Sequence, residues 1–409
     1  MAFHSPANIS LGCLQVNRLF APVSCSNFIS GYFEQRHLYT RSAGFEGLIH
    51  ASDLDTLAER WQFKIAKDHA QARVLLPDSF QHDTTYKDGM LFDGAAIRKT
   101  LAARRTVVLH NVELYSRPIG LLALALMRSF GVYPQANLYH SPAGLSSAVH
   151  AHQDAQSVFI VQCEGQKTWQ LFAPPQRWRL RNNQRGKAGD VAPESELTQP
   201  LGVYTLRPGD VLFVPRGVYH RTSTHVEAEA AEVAVETAAE ETAAEETAVQ
   251  RAAKQLAAAS GEELAATGSG VVGIPSLHVT IGIETDTDHW TWHALLKDAA
   301  GGLSLPAAEA KLDAAQWHDE RLRAALPLSM CRPSASFDGA DPHAAVWLAT
   351  ARDLLATHLG ERPEVAALRR ALEGALTARQ EHVEKKRLQL LDFLAINAKA
   401  DDDLVQREA

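Results

Sequence analysis

The chain has 409 residues, 46% of them hydrophobic and 22% charged, with a formal net charge of −8. That length suits two or three modest domains, or one large domain with an appendage. The longest apolar run, Gly120 to Met127, falls well short of the roughly 20 residues that cross a bilayer, so no membrane span is expected.

The charge is unevenly placed. Between residues 226 and 270, ten glutamates face only Arg251 and Lys254, so this stretch carries the whole net charge and the rest is close to neutral. Nothing in that balance points to direct nucleic-acid binding. The four cysteines, Cys13, Cys25, Cys163 and Cys331, lack CxxC spacing, which argues against a disulfide framework or a cysteine zinc site and favours a reducing compartment.

Residues 1–25 read as an N-terminal extension without the basic start and apolar stretch of a secretory signal. Residues 26–136 alternate helical and strand-like text. "SNFISGYFEQRHLYTR" predicts a helix entry and a short strand. "SDLDTLAERW" predicts a helix whose first-turn amides are capped by Ser52 or Asp53. "TVVLHNVELYS" is strand-like, and "IGLLALALMRSFG" is an apolar helix closed by Gly131.

From residue 137 to 225 the text becomes β-rich. "SVFIVQCEG" and "KTWQLFAP" read as the two arms of a hairpin. "VYTLRPGDVLFVPRGVYHRTST" reads as three strands joined by Gly/Pro turns. Short strands of this kind indicate a mainly β sandwich or jelly roll with flanking helices. Residues 226–270 are an Ala/Glu-rich low-complexity insertion. Its five-residue repeat, "ETAAE" at Glu236 and Glu241, matches neither the helical nor the strand period, so it reads as a surface-loop insertion. Residues 271–296 return to strand text with "SLHVTIGIET", which rejoins the sheet. Residues 297–409 are helical, with apolar residues at three- and four-residue steps, and are a candidate homodimer interface.

The chemistry concentrates in "HAHQDAQSVFIVQCEGQKTWQLF", residues 150–172. Alternation along a strand sets His150, His152 and Asp154 on one face. A His-x-Asp pair plus a distant histidine is the ligand set of a non-haem Fe(II) facial triad, and His220 in "VPRGVYH" supplies the third donor. A second register is open. "GLSSAVHAH" with "GDVLFVPRGVYH" fits a broader cupin pattern whose ligands are His150, His152 and His220 plus a glutamate four or five residues on. Those positions hold Gln156 and Ser157, which are poor substitutes for a carboxylate. The remaining candidates are the basic loop "RWRLRNNQRGK", residues 177–187, as a partner contact, and Trp290, Trp292 and His293 as core.

Together these motifs resemble the JmjC-type 2-oxoglutarate oxygenases, in particular their cupin-like ribosomal oxygenase branch. "VFIVQCEGQKTW" is similar to that branch's strand, Glu-Gly turn, lysine and tryptophan, and "LRPGDVLFVPRGVYH" to the strand carrying its distal histidine. "NLYHSPAG" and "SLHVTIGI" are similar to the strands on either side. Asp154, Phe159, Gly165, Lys167 and Trp169 all hold this register, which favours His152, Asp154 and His220 over the cupin alternative. The segment between Asn137 and His152 is one residue longer than the branch leads one to expect.

The resemblance implies a double-stranded β-helix (jelly roll) with a dimerisation or winged-helix-like C-terminal region. It implies Fe(II) held by His152, Asp154 and His220, 2-oxoglutarate as cosubstrate paired with Lys167 and lined by Asn137 and Tyr139, and O2 as co-reactant. Ser276 and His278 are candidate substrate-pocket residues. The products it implies are a hydroxylated ribosomal-protein histidine or arginine, or a demethylated histone lysine. It also implies a nuclear or nucleolar protein among eukaryotes and a cytoplasmic one among bacteria; the insertion favours the former. Two further readings stand beside it: a non-oxygenase cupin metalloprotein and a catalytically silent interaction protein.

Overall fold

The computed structural model describes residues 16–65, 71–79, 81–154, 156–175, 193–225, 275–283, 290–305, 307–316, 318–324, 326–327, 330–331, 335–337, 341 and 343–408. The Ala/Glu insertion and the basic loop at 177–187 lie outside the described residues.

In chain order the elements are α1 (Cys25–Gly31), β1 (Leu38–Thr40), α2 (Asp53–Trp61), β2 (Ala72–Leu75), α3 (Gly94–Ala102), β3 (Thr106–His110), α4 (Arg117–Phe130) and β4 (Pro134–Ser141). They continue with β5 (Val149–His152), β6 (Ser157–Gly165), β7 (Lys167–Phe172), β8 (Pro200–Leu206), β9 (Val211–Val214), β10 (Tyr219–Ser223) and β11 (Ser276–Ile283). The helices α5 (Trp292–Gly302), α6 (Ala308–Ala315), α7 (Glu320–Arg323), α8 (Ala344–Leu359) and α9 (Val365–Glu408) follow. No helix among the described residues is long and apolar enough to cross a membrane.

Two antiparallel sheets face each other as a jelly roll. The larger runs β1-β9-β6-β11-β4-β3-β2, the smaller β5-β10-β7-β8. β11 pairs with both β4 and β6, so the strand after the insertion returns to the centre of the larger sheet, as its sequence predicts.

The expected hairpin of residues 157–165 and 167–172 does not form. β6 pairs with β9 and β11, and β7 pairs with β8 and β10, so the chain changes sheets between them. Gly165, at φ 67°, makes that corner in a conformation other residues rarely adopt. The run "SVFIVQC" is buried on both faces, which suits a central strand with layers on either side. The three strands of "VYTLRPGDVLFVPRGVYHRTST" likewise alternate between sheets: β8 and β10 lie in the smaller, β9 in the larger.

Alternation gives the larger sheet two different faces. Phe159, Val161, Phe213, Leu277, Val279 and Ile281 look outward into one large core shared with the helices. There Phe28 of α1 stacks on Phe20 at 4.7 Å between ring centroids and meets Phe213 edge-on at 4.8 Å. Val158, Ile160, Leu212 and Val214 look inward, packing with Trp169, Leu171 and Leu206 of the smaller sheet.

The helices follow their local signals with one exception. Gly131, at φ 74°, closes α4 by donating its N–H to Met127. Ser52 already has helical angles and makes no side-chain cap. Asp53 instead accepts from the backbone N–H of His50 at 2.8 Å, tying the preceding loop rather than a first-turn amide. Trp290, Trp292 and His293 are buried, as expected of core positions.

The C-terminal helices join the same core. Leu368, Leu372, Leu376, Val383, Leu390 and Leu394 form the buried stripe of α9, which packs on α4 and α5. Gly120 of α4 sits close against backbone and against α9: a Cβ there would stand 2.6 Å from the Glu113 carbonyl oxygen and 2.9 Å from Leu394 Cδ2. In an open helix Gly→Ala stabilises by roughly 0.5–1 kcal/mol. Here the backbone oxygen cannot yield, so Gly120→Ala is expected to cost about 1–3 kcal/mol, read as a lower chemical-denaturation midpoint. A midpoint at or above wild type would show that the Glu113 carbonyl and Leu394 give way to the added methyl.

Candidate metal and cosubstrate site

The register of the smaller sheet brings the first two donors together: His220 on β10 lies directly opposite His152 on β5. Their ring centroids are 4.1 Å apart. β5 ends at His152, and the chain turns so that Asp154 comes within 3.6 Å (Oδ2) of His220 Nε2. One donor atom from each of His152, Asp154 and His220 lies within 4.8 Å of the other two, and these three are the one such group of histidine, cysteine or acidic side chains among the described residues.

The backbone fixes which ring nitrogens face the centre. His152 Nδ1 lies 2.9 Å from the carbonyl of His150, and His220 Nδ1 lies 3.1 Å from that of Val218. A carbonyl only accepts, so each Nδ1 carries the proton and donates. Each Nε2 of the neutral rings is then left with its lone pair toward the cluster, as metal-binding histidines are commonly oriented. Two imidazoles and a carboxylate suit a divalent transition metal. His150 shares the strand, but its ring stands 6.5 Å from that of His152, and it is not part of the cluster.

An N-terminal clamp holds the turn that presents His220. Arg216 Nε donates to Glu34 Oε2 at 2.5 Å, and Ser157 Oγ donates to Glu34 Oε1 at 2.9 Å. The backbone N–H of Arg216 reaches Ser157 Oγ at 3.2 Å, and that of Gly217 donates to the Asp154 carbonyl at 3.0 Å. Glu34→Gln removes the charge opposing the buried Arg216, with an expected loss of about 2 kcal/mol in stability and up to ~10-fold in metal affinity. Thermal unfolding with and without added Mn(II) measures both; an unchanged metal response would remove the clamp from the site.

Two residues before Trp169, whose ring centroid lies 5.6 Å from that of His220, Lys167 stands on β7 with only 2% of its surface exposed. Its ammonium donates to Ser141 Oγ at 3.2 Å and sits 5.9 Å from the centroid of the Trp169 ring. No carboxylate pairs with it among the described residues. Burial lowers its pKa to about 7. A buried ammonium without a counter-charge is costly, which fits a position meant to receive an anion.

The larger sheet supplies the opposite wall. Strand register places Gln162, His278, Tyr139, Val108 and Arg73 in one row across β6, β11, β4, β3 and β2. Ser276 pairs with Ser141, which accepts from Thr106 Oγ1 at 3.2 Å, and Thr280, Asn137 and His110 form another row. Asn137 Oδ1 lies 3.1 Å from His110 Nδ1, and Tyr139 stacks on His278 at 5.1 Å with the rings 4° from parallel. Burial raises the Tyr139 phenol pKa, keeping it a neutral donor. Ser276 accepts from Gln162 Nε2 at 3.0 Å and is occupied structurally.

Ser141 and the Glu34–Arg216 clamp are absent from the sequence reading. Ser141 was within reach of it, since Asn137, Tyr139 and Ser141 are spaced by two along one strand and share its inward face. Glu34 and Arg216 meet across 182 positions, and no local pattern links them.

Residues 121–245, which include His152, Asp154 and His220, match the JmjC domain family. Beyond that segment, the chain is similar to curated ribosomal oxygenases and histidyl-hydroxylases. It is 26% identical over 219 residues to the bifunctional lysine-specific demethylase and histidyl-hydroxylase NO66 of Dictyostelium discoideum, covering 54% of this chain and 42% of that protein. It is 25% identical over 233 residues to ribosomal oxygenase 2 of Bos taurus, covering 54% and 46%. The match thus spans less than half the length of these curated relatives. Among solved structures, the ribosomal oxygenase YcfD from Escherichia coli, in complex with cobalt and succinic acid, aligns over 70% of this chain and 57% of that one, at TM-score 0.37 and 14% identity.

Proposed function

We propose that this chain is an Fe(II)- and 2-oxoglutarate-dependent oxygenase acting on a protein side chain, with His152, Asp154 and His220 holding the metal. The observation that carries this reading is Lys167. Two histidines and a carboxylate alone would also suit a hydrolytic zinc site. A buried, carboxylate-free lysine on the same small sheet suits a cosubstrate bearing a second carboxylate.

When bound, Fe(II), 2-oxoglutarate and O2 supply the oxidising chemistry, releasing succinate and CO2 and delivering one oxygen atom to a substrate C–H bond. The chain's part is to position the reactants. Lys167 and Ser141 take the distal carboxylate and so fix how far the 2-oxo acid end reaches toward the cluster. Tyr139 and Asn137 line the wall of the larger sheet between them. The carbonyls of His150 and Val218 hold the two imidazoles in the tautomer that leaves Nε2 as donor. The inward apolar residues Val158, Ile160, Leu212 and Val214 keep the interior between the sheets dry.

The relatives' names, lysine-specific demethylase, histidyl-hydroxylase and ribosomal oxygenase, support a ribosomal protein or a histone as the substrate class. Hydroxylation of histidine or arginine and oxidation of an N-methyl lysine begin from the same C–H attack. Mass spectrometry of ribosomal proteins and histones incubated with the Fe(II)-loaded protein separates them: hydroxylation leaves one added oxygen, demethylation one methylene fewer. Neither change on any protein, with succinate still released, would leave the oxygenase reading and remove the protein-substrate one.

A further inference from the structure

His278 sits in the centre of the larger sheet with 1% of its surface exposed, its ring flat against Tyr139 and edge-on to Trp169 at 5.5 Å. Its Nδ1 is buried and has no hydrogen-bond partner among the described residues. A buried ring nitrogen left without a partner costs roughly 1–3 kcal/mol, so packing alone is a poor reason for a histidine here; a phenylalanine would stack on Tyr139 without that cost.

The neighbourhood says what such a group can meet. Lys167 reaches in from the facing sheet along the same Trp169 ring, close enough for its charge to act on His278. Ser141, which accepts from Lys167, is two residues from Tyr139 on the strand beside β11. Burial and the Lys167 charge both hold the imidazole well below its usual pKa, so it stays neutral and does not compete as a second cation. A neutral imidazole offers one N–H donor.

We propose that His278 is a cosubstrate-binding residue: its imidazole hydrogen-bonds the same carboxylate that Lys167 pairs with, so that one group from each sheet grips it. This rests on the 2-oxoglutarate reading above. It moves His278 from the protein-substrate side of the pocket to the cosubstrate side, and it makes selectivity for the second carboxylate a property of two residues.

The test compares two ligands on the Mn(II)-loaded full chain by calorimetry: 2-oxoglutarate, and 2-oxobutyrate, which has the same 2-oxo acid end and no second carboxylate. His278→Phe keeps the stack and removes the donor. It should weaken 2-oxoglutarate by roughly 10-fold or more and leave 2-oxobutyrate unchanged, and His278→Gln should recover much of the loss. Equal weakening of both ligands, or of neither, overturns the proposal. If His278→Phe does not fold, His278→Leu gives the same comparison. If the wild type itself does not bind 2-oxoglutarate, the reading of the function fails, and this assignment with it. If the wild type binds and the variants do not discriminate, only the role of His278 falls.

Discussion

Asp154→Ala leaves the protein unable to retain Fe(II), with an affinity loss above roughly 100-fold, more than the removal of an outer hydrogen-bond partner produces. His220→Ala does the same. His150→Ala binds metal as the wild type does, because its ring lies outside the cluster. Equilibrium dialysis against Fe(II) under argon, or Co(II) absorbance in air, separates the two registers left open by the sequence. If His150→Ala lost the metal while Asp154→Ala kept it, the centre would be a His-x-His cupin site and the oxygenase account would fail at its base.

Lys167→Met weakens 2-oxoglutarate binding by about 100-fold, the scale expected when one partner of a buried charge pair is removed. The pH dependence carries a definite sign. In the ligand-free protein Lys167 loses its proton at about pH 7. An incoming carboxylate requires the charged form, so above pH 7 binding takes up a proton and apparent affinity falls by up to about tenfold per unit. Below pH 7 the lysine is already charged and this dependence disappears. Calorimetry in buffers of different ionisation enthalpy reads the proton directly. Lys167→Met should show neither the proton nor the slope; a wild-type affinity flat from pH 7 to 9 would mean that another cation meets the cosubstrate.

The same lysine opposes folding. Its depressed pKa means that the unfolded chain binds a proton the folded one releases, so stability rises with pH from about 7 toward the ordinary lysine range. Below about pH 7 both states are protonated and the cost is fully present. Ligand-free Lys167→Met is therefore expected to be more stable than wild type at neutral pH while failing to bind 2-oxoglutarate. Stability lost to a functional charge is a separate signature from the binding defect.

The jelly roll was legible because strand period and turn chemistry are local, and the candidate cluster because its motifs resemble a known family. Gly/Pro turns cut β8, β9 and β10 at their ends, and His-x-Asp with the distant His220 marked the cluster. Which strands pair is not local. "SVFIVQCEG" and "KTWQLF" looked like a hairpin because a glycine turn joins them, yet Gly165 turns a corner between sheets. The same holds for the clamp of Glu34 on Arg216 and for His278 against Lys167, which meet only once both sheets are built. Asp154 lies past the end of β5, so its approach to His220 comes from the turn after the strand and not from strand alternation.

The most direct measurement of the central claim is succinate release from 2-oxoglutarate in air by the Fe(II)-loaded chain, with total ribosomal proteins and histones present. Wild type should release succinate over time, and Asp154→Ala and His220→Ala should stay at the protein-free background. Wild-type release no greater than that of Asp154→Ala would contradict the assignment of this centre to 2-oxoglutarate-dependent oxygenation.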